Sequence, residues 1–138
     1  MTTDISHRAD IAAVVTEFYA RAFADDLLGP VFIDVARMDL PAHLPIMCDF
    51  WETVLFRTGS YQRNALKLHV DLHRREPLTD RHFERWLTLW CATIDDRHTG
   101  PKAELAKLQA SRIAQSMLRR LAGGTGSEHH TIRAVADK

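Results

Sequence analysis

His69, His73, His82, Trp86 and Trp90 fall close together in an apolar-rich run. Neutral imidazole is the commonest metal-ligating side chain, and large aromatics wall flat apolar ligands. His69 and His73 are four apart, so on a helix they share a face as two ligands of one metal would, with His82 as a conceivable third. No glutamate base lies between them, and no cysteine or carboxylate evidently completes the set. An incidental surface pair is the plainer reading of that spacing.

A haem asks for less: one neutral imidazole on iron and a flat apolar slot. A reactive haem also needs hydrogen-bond donors aimed at the sixth coordination position. Tyr19, His43 and Trp86 are each the polar-tipped member of an apolar stripe. Taken singly, each is also what a core aromatic or a capping histidine looks like.

The elements that must position these residues read as helices. From Ser6 as N-cap, Ile11, Val14, Val15, Phe18, Ala22 and Phe23 recur at helical steps, with Tyr19 extending the stripe to an end near Asp25 and Asp26. Leu28-Gly29-Pro30 then turns the chain before Val31-Phe32-Ile33. Asp39 caps a second helix that tolerates Pro41 and Pro45 in its first turn, and His43, Met47, Phe50, Trp51 and Val54 share one of its faces. Thr58-Gly59-Ser60 closes it. A short helical piece over 65–73 follows, then a connector through Pro77. Thr79 and Asp80 open a helix expected to be central and buried, in which Phe83, Trp86, Leu87, Trp90, Cys91 and Ile94 repeat at helical steps. Pro101 starts the last helix, carrying Leu105, Leu108, Ile113, Met117 and Leu121, with Ala106, Ala110 and Ala114 permitting close approach of a neighbour. Gly123-Gly124 stops it.

No segment alternates with period two, and no internal repeat or glycine-rich phosphate loop is present. The expected class is all-α, one domain over 1–122, with a polar tail over 123–138 lacking a packing face. Eighteen basic and eighteen acidic residues leave no net field to attract nucleic acid or an anionic membrane. Charges interrupt every apolar stretch short of a span, and no signal-peptide pattern opens the chain, which predicts a cytoplasmic protein. Cys48 and Cys91 sit in apolar helical patterns and read as reduced, buried hydrophobes.

Five blocks, taken in order, are specific. They are Phe18-Tyr19; Leu28-Gly29-Pro30-Val31-Phe32; His43-Leu44-Pro45-Ile46-Met47-Cys48-Asp49-Phe50-Trp51; Tyr61 with His69 behind it; and Pro77-Leu78-Thr79 with His82-Phe83-Glu84-Arg85-Trp86-Leu87. This series, from about Ile11 to about Leu121, resembles the truncated haemoglobins of group III. The resemblance implies a shortened globin fold, helices two over two around a non-covalent haem b. The lack of a Cys-x-x-Cys-His attachment motif agrees independently.

By the same resemblance, His69 is the proximal iron ligand, Tyr19 and Trp86 are distal hydrogen-bonding residues, and His43 contacts or gates the distal pocket. Phe18, Phe32, Met47, Phe50 and Trp51 pack the haem or the nearby core. His82 takes a helix-start position and His73 no iron role. Arg63 or Lys67 could meet a haem propionate. The chain departs from the family's Tyr-x-Gly-x-Pro ahead of the proximal helix, reading Tyr61-Gln62-Arg63-Asn64-Ala65 instead. The expected ligands are O2, NO, CO or similar molecules, bound by a monomer served by an unidentified reductase, with NO detoxification as the leading role. Peroxidase-like activity and a haem-based gas or redox sensor are the alternatives.

If His69 holds the iron, His69→Gly will lose the haem spectrum of wild type in its ferrous and ferrous–CO forms, and added imidazole will restore it. A wild-type spectrum in His69→Gly without imidazole would move the ligand elsewhere.

Overall fold

The computed structural model describes residues 2–35, 37–59, 61, 73 and 78–123. Its first helix, α1 (Arg8–Ala24), buries Ile11, Val14, Val15, Phe18, Tyr19 and Ala22 on one face, the stripe its periodicity predicts. The cap falls on His7 and not on Ser6. Asp10 causes the shift: its Oδ2 accepts from the Ser6 N–H at 2.9 Å and the Ser6 hydroxyl at 3.0 Å, so Ser6 serves as a donor outside the helix.

The turn after α1 is built by Asp25, whose Oδ2 accepts from Leu27 N–H at 3.1 Å and Leu28 N–H at 3.0 Å. Its Oδ1 takes the Arg85 Nε–H at 2.6 Å, tying this turn to a helix sixty residues away. Gly29 and Pro30 then open a helical turn, where the sequence suggested only a break. Proline suits a first turn, and a Cβ on Gly29 would lie 2.5 Å from the Phe23 carbonyl oxygen, so the chain approaches α1 more closely than any other residue permits. The turn continues as a π-helix over Val31–Val35.

Asp39 caps α2 (Leu40–Phe56) through the Ala42 N–H, as predicted, but Pro45 lies inside the helix and not in its first turn. The partner its ring nitrogen lacks would have been the carbonyl of Pro41, still in the N-terminal turn, so the loss is confined to one bond near the helix start. Arg57, left-handed at φ 58°, ends the helix. Thr53 then accepts the Tyr61 N–H at 3.0 Å and holds Tyr61 against the core.

Thr79 caps α3 (Asp80–Arg97). Trp90, Thr93 and Ile94 are buried, whereas Phe83, Trp86 and Leu87 are half-buried, so only the C-terminal half of this helix is the buried element expected. In α4 (Pro101–Gly123) the buried stripe runs Ala103, Ala106, Ala110, Ile113, Met117 and Leu121 at steps of three and four. Leu108 falls off that register and is 47% exposed. The alanines, not the leucines, set how closely α4 approaches its neighbours.

Two helix pairs result, α1 with α2 and α3 with α4, joined by contacts of α1 on α3 and of α2 on α4. The N-terminal segment is stapled to the far side. Thr3 bridges His98, and the Asp4 carboxylate accepts from the Lys102 and Ala103 N–H groups at the start of α4. The described residues contain no strand, and no described helix is long and apolar enough to cross a membrane. The polar tail predicted for 123–138 lies outside the described residues except for Gly123, the last residue of α4.

Burial alone would raise the Asp25 carboxyl, but Leu28 N–H, Arg85 and Leu27 N–H outweigh it and hold the pKa below the usual range. The stabilisation is therefore present above the unfolded value, near 3.9, and fades as pH falls through the lower folded value. Asp25→Ala will cost about 1–2 kcal/mol at pH 7 in urea titration, and less as the pH falls below the ordinary carboxylate range.

Candidate functional site

The aromatic side chains that α1, α2 and α3 turn inward do not fill the space between the two helix pairs. They wall a cavity of about 540 Å³, inside the roughly 300–1,000 Å³ common for ligand and cofactor pockets. Phe18 organises one wall. It meets Tyr19 (5.1 Å), Trp90 (5.4 Å) and Trp86 (6.2 Å) edge to face. Trp90 stacks on Trp51 at 4.5 Å and lies parallel to Trp86 at 6.4 Å. Each such contact adds about 0.5–1.5 kcal/mol beyond area burial, so the wall is stiff before anything enters.

The π-helical turn supplies the next side. It sets Phe32 edge-on to Tyr19 at 5.7 Å and stacks it on Phe23 at 5.5 Å. From α2 come His43, Met47, Phe50 and Trp51, the face predicted from their spacing. From α4 come Ile113, Ala114 and Met117.

Few polar atoms interrupt these walls, and they are concentrated. Tyr19 Oη lies 3.1 Å from His43 Nε2, with the rings edge to face at 5.6 Å. Burial pushes the Tyr19 hydroxyl pKa well up, so it keeps its proton and remains a donor. Trp86 and Trp90, parallel on α3, differ in one respect. Trp90 gives its indole N–H to the Ala106 carbonyl at 3.3 Å, whereas Trp86 makes no hydrogen bond among the described residues. Trp86 therefore offers an unpaired donor to the cavity it lines.

His82 also lines the cavity, and both it and His73 are engaged locally. His82 Nδ1 accepts from the Thr79 N–H at 3.0 Å, closing the capping box of α3. His73 Nδ1 accepts from the Leu78 N–H at 2.8 Å. Among the described residues no three metal-ligating side chains converge, and the His69–His73 pair considered from spacing has one member, His69, outside them. Arg63, Lys67 and His69 lie outside the described residues.

Phe18, Tyr19, Phe32, His43, Met47, Phe50, Trp51 and Trp86, singled out from the sequence, all line the one cavity. Several lining residues were not singled out as site residues: Met38, Phe83, Trp90, Ile113 and Met117. Each carried only the signal of a helical apolar stripe, which cannot separate a core position from a pocket wall. Arg37, in the loop before α2, gave no signal at all. The chemistry of this set fits a haem: aromatic and thioether walls for a flat apolar ring, and a tyrosine, a histidine and an unpaired indole as donors for a small ligand.

No protein-family model matches the chain. Comparison with curated proteins finds the group 3 truncated hemoglobin ctb of Campylobacter jejuni, 27% identical over 129 residues that span 89% of this chain and 99% of that protein. Comparison with solved structures finds the crystal structure of the group III truncated hemoglobin from Campylobacter jejuni. It shares 25% identity at a TM-score of 0.78, over 91% of this chain and 99% of that one. The two helix pairs are thus a shortened globin fold, and the resemblance read from the ordered sequence blocks holds in sequence and in structure.

The capping role of His82 has a direct check. His82→Ala will lower stability by about 1 kcal/mol, His82→Gln will restore most of it, and both will leave the visible spectrum of the haem-loaded protein unchanged. Loss of the haem spectrum in both variants, restored by added imidazole, would place His82 at the iron.

Proposed function

We propose that this chain, similar over its length to a group III truncated haemoglobin, holds haem b non-covalently in the cavity between its helix pairs and binds O2 and other diatomic ligands there. The observation that carries the reading is the donor arrangement: a protonated, buried Tyr19 hydrogen-bonded to His43, and an unpaired Trp86 N–H lining the same apolar cavity. His69 is proposed as the residue that would hold the iron. Phe18, Phe32, Met47, Phe50 and Trp51 are proposed to grip the ring. When bound, ferrous haem supplies an open coordination position for a diatomic ligand and passes electron density to it.

The residues then act as follows. Tyr19 and His43 share one proton position between them, so two arrangements exist. If Tyr19 donates to His43, its hydroxyl is spent. If His43 carries its proton on Nε2 and donates to Tyr19, the Tyr19 O–H is released to turn toward a ligand atom bearing partial negative charge. Trp86 can donate to the same region without rearrangement. In an apolar enclosure, donors fixed in advance count for more than they would in water.

A hydrogen bond to a charged partner contributes roughly 1.5 kcal/mol or more, so each donor is worth about tenfold or beyond in ligand retention. Slow release suits chemistry on retained O2 better than storage. The favoured reaction is the combination of O2 with NO and one electron from a reductase to give nitrate, that is, NO detoxification. A cytoplasmic location fits such a role.

Tyr19→Phe and Trp86→Phe keep the aromatic wall and remove one donor each. O2 dissociation from the ferrous protein will accelerate about tenfold or more in each. Rates equal to wild type in both would refute the donor account.

A further inference from the structure

We propose that Arg37 is an anchor for a carboxylate of the bound tetrapyrrole, holding the outer edge of the ring at the rim of the cavity. The proposal rests on the haem reading above and assigns a residue that the sequence did not suggest. The carboxylate partners expected from the sequence were Arg63 and Lys67.

Arg37 lines the cavity and is at the same time solvent-exposed, which places it at the rim and not within the apolar interior. Asp39 also lines the cavity, two residues away, and could have neutralised it. It does not: Asp39 Oδ1 accepts the Ala42 N–H that starts α2, and Arg37 makes no hydrogen bond or ion pair among the described residues. The rim therefore carries a guanidinium with open donors, and the Asp39 carboxylate nearby keeps its charge while one of its oxygens caps α2. A planar guanidinium fork matches a carboxylate with two parallel N–H donors, and a ring with apolar body and acidic edge would seat its body inward and its edge outward.

Backbone geometry holds Arg37 at that position. Arg37 is held at φ 50°, a left-handed conformation that an unbranched L-residue adopts at a cost and that glycine adopts freely. It is fixed there from both sides. Met38 N–H returns to the Phe32 carbonyl at 3.0 Å, closing the π-helical turn, and Asp39 caps α2. The same turn positions Phe32 against Tyr19. Arg57 ends α2 in the same left-handed conformation, so this geometry fixes where Arg37 stands, and the open guanidinium at the rim carries its assignment.

The test measures haem loss to an excess of an acceptor apoprotein, for wild type, Arg37→Gln and Arg37→Gly, with haem b and with its dimethyl ester. Both variants will lose haem b about three- to tenfold faster than wild type, as expected for a half-solvated ion pair. The difference will shrink in 1 M salt. With the dimethyl ester, which has no carboxylate, all three proteins will release the ring at one rate. Arg37→Gly removes the backbone strain along with the charge, so faster loss in that variant as well excludes a merely conformational effect of Arg37→Gln. If wild type and both variants release haem b equally slowly, Arg37 is not an anchor and the haem reading stands. If wild type takes up neither ring, with no Soret absorption after reconstitution, the haem reading falls and this proposal with it.

Discussion

A tyrosine hydroxyl cannot be left unpaired in an apolar interior without losing on the order of 1–3 kcal/mol. In this chain the Tyr19 hydroxyl is paired with His43 at 3.1 Å, across the boundary between α1 and α2. Much of the architecture follows from keeping that pair together. Helix α1 must be anchored along its length, which Ile11, Val14, Val15 and Phe18 achieve by near-complete burial. The start of α2 must be held in register with α1. The Asp39 cap, four residues before His43, and the π-helical turn, which seats Phe32 edge-on to Tyr19, provide that.

The cavity is a consequence of how the aromatic residues are spent. Trp90 is satisfied in every sense: stacked on Trp51, edged by Phe18, and bonded through its N–H to Ala106 on α4. It belongs to the frame. Trp86, one turn earlier on the same helix, shares the ring orientation but has no acceptor among the described residues. The difference arises from α4, whose alanine stripe lets it come close to α3 beside Trp90. Toward Trp86, α4 contributes Ile113, Ala114 and Met117 as cavity walls. One helix pair therefore closes at one end and opens at the other, and a core and a site are built from the same type of residue.

Electrostatics divides the molecule in a similar way. The interior holds neutral donors, while full charges sit at the rim or in surface ties such as Arg85 with Asp25, Arg21 with Glu17 and Asp96, and Lys107 with Asp95 and Glu104. Burial also raises the thiols of Cys48 and Cys91, which keeps them protonated and unreactive. Both cysteines are free; Cys48 is buried as read from the sequence, whereas Cys91 is half-buried.

The sequence by itself determined the four long helices, because a period of three to four residues is a local property that survives any tertiary arrangement; of the helical piece expected over 65–73, residues 65–72 lie outside the described residues. It also placed Tyr19, His43 and Trp86 on the apolar faces of three different helices, and their order along the chain was enough to point to a globin-like reading. What it could not determine was which apolar residues face protein and which face a cavity, since Trp86 and Trp90 have the same local pattern. It could not show that Gly29 and Pro30 begin a helical turn, which depends on contact with the Phe23 carbonyl. Nor could it separate His82 from a metal ligand by spacing alone, because the Thr79 N–H that occupies its Nδ1 is a matter of cap geometry. Asp4 and Arg37 lay outside any periodic pattern. Their roles at the start of α4 and at the cavity rim come only from distant segments being brought beside them, and packing alone decides that.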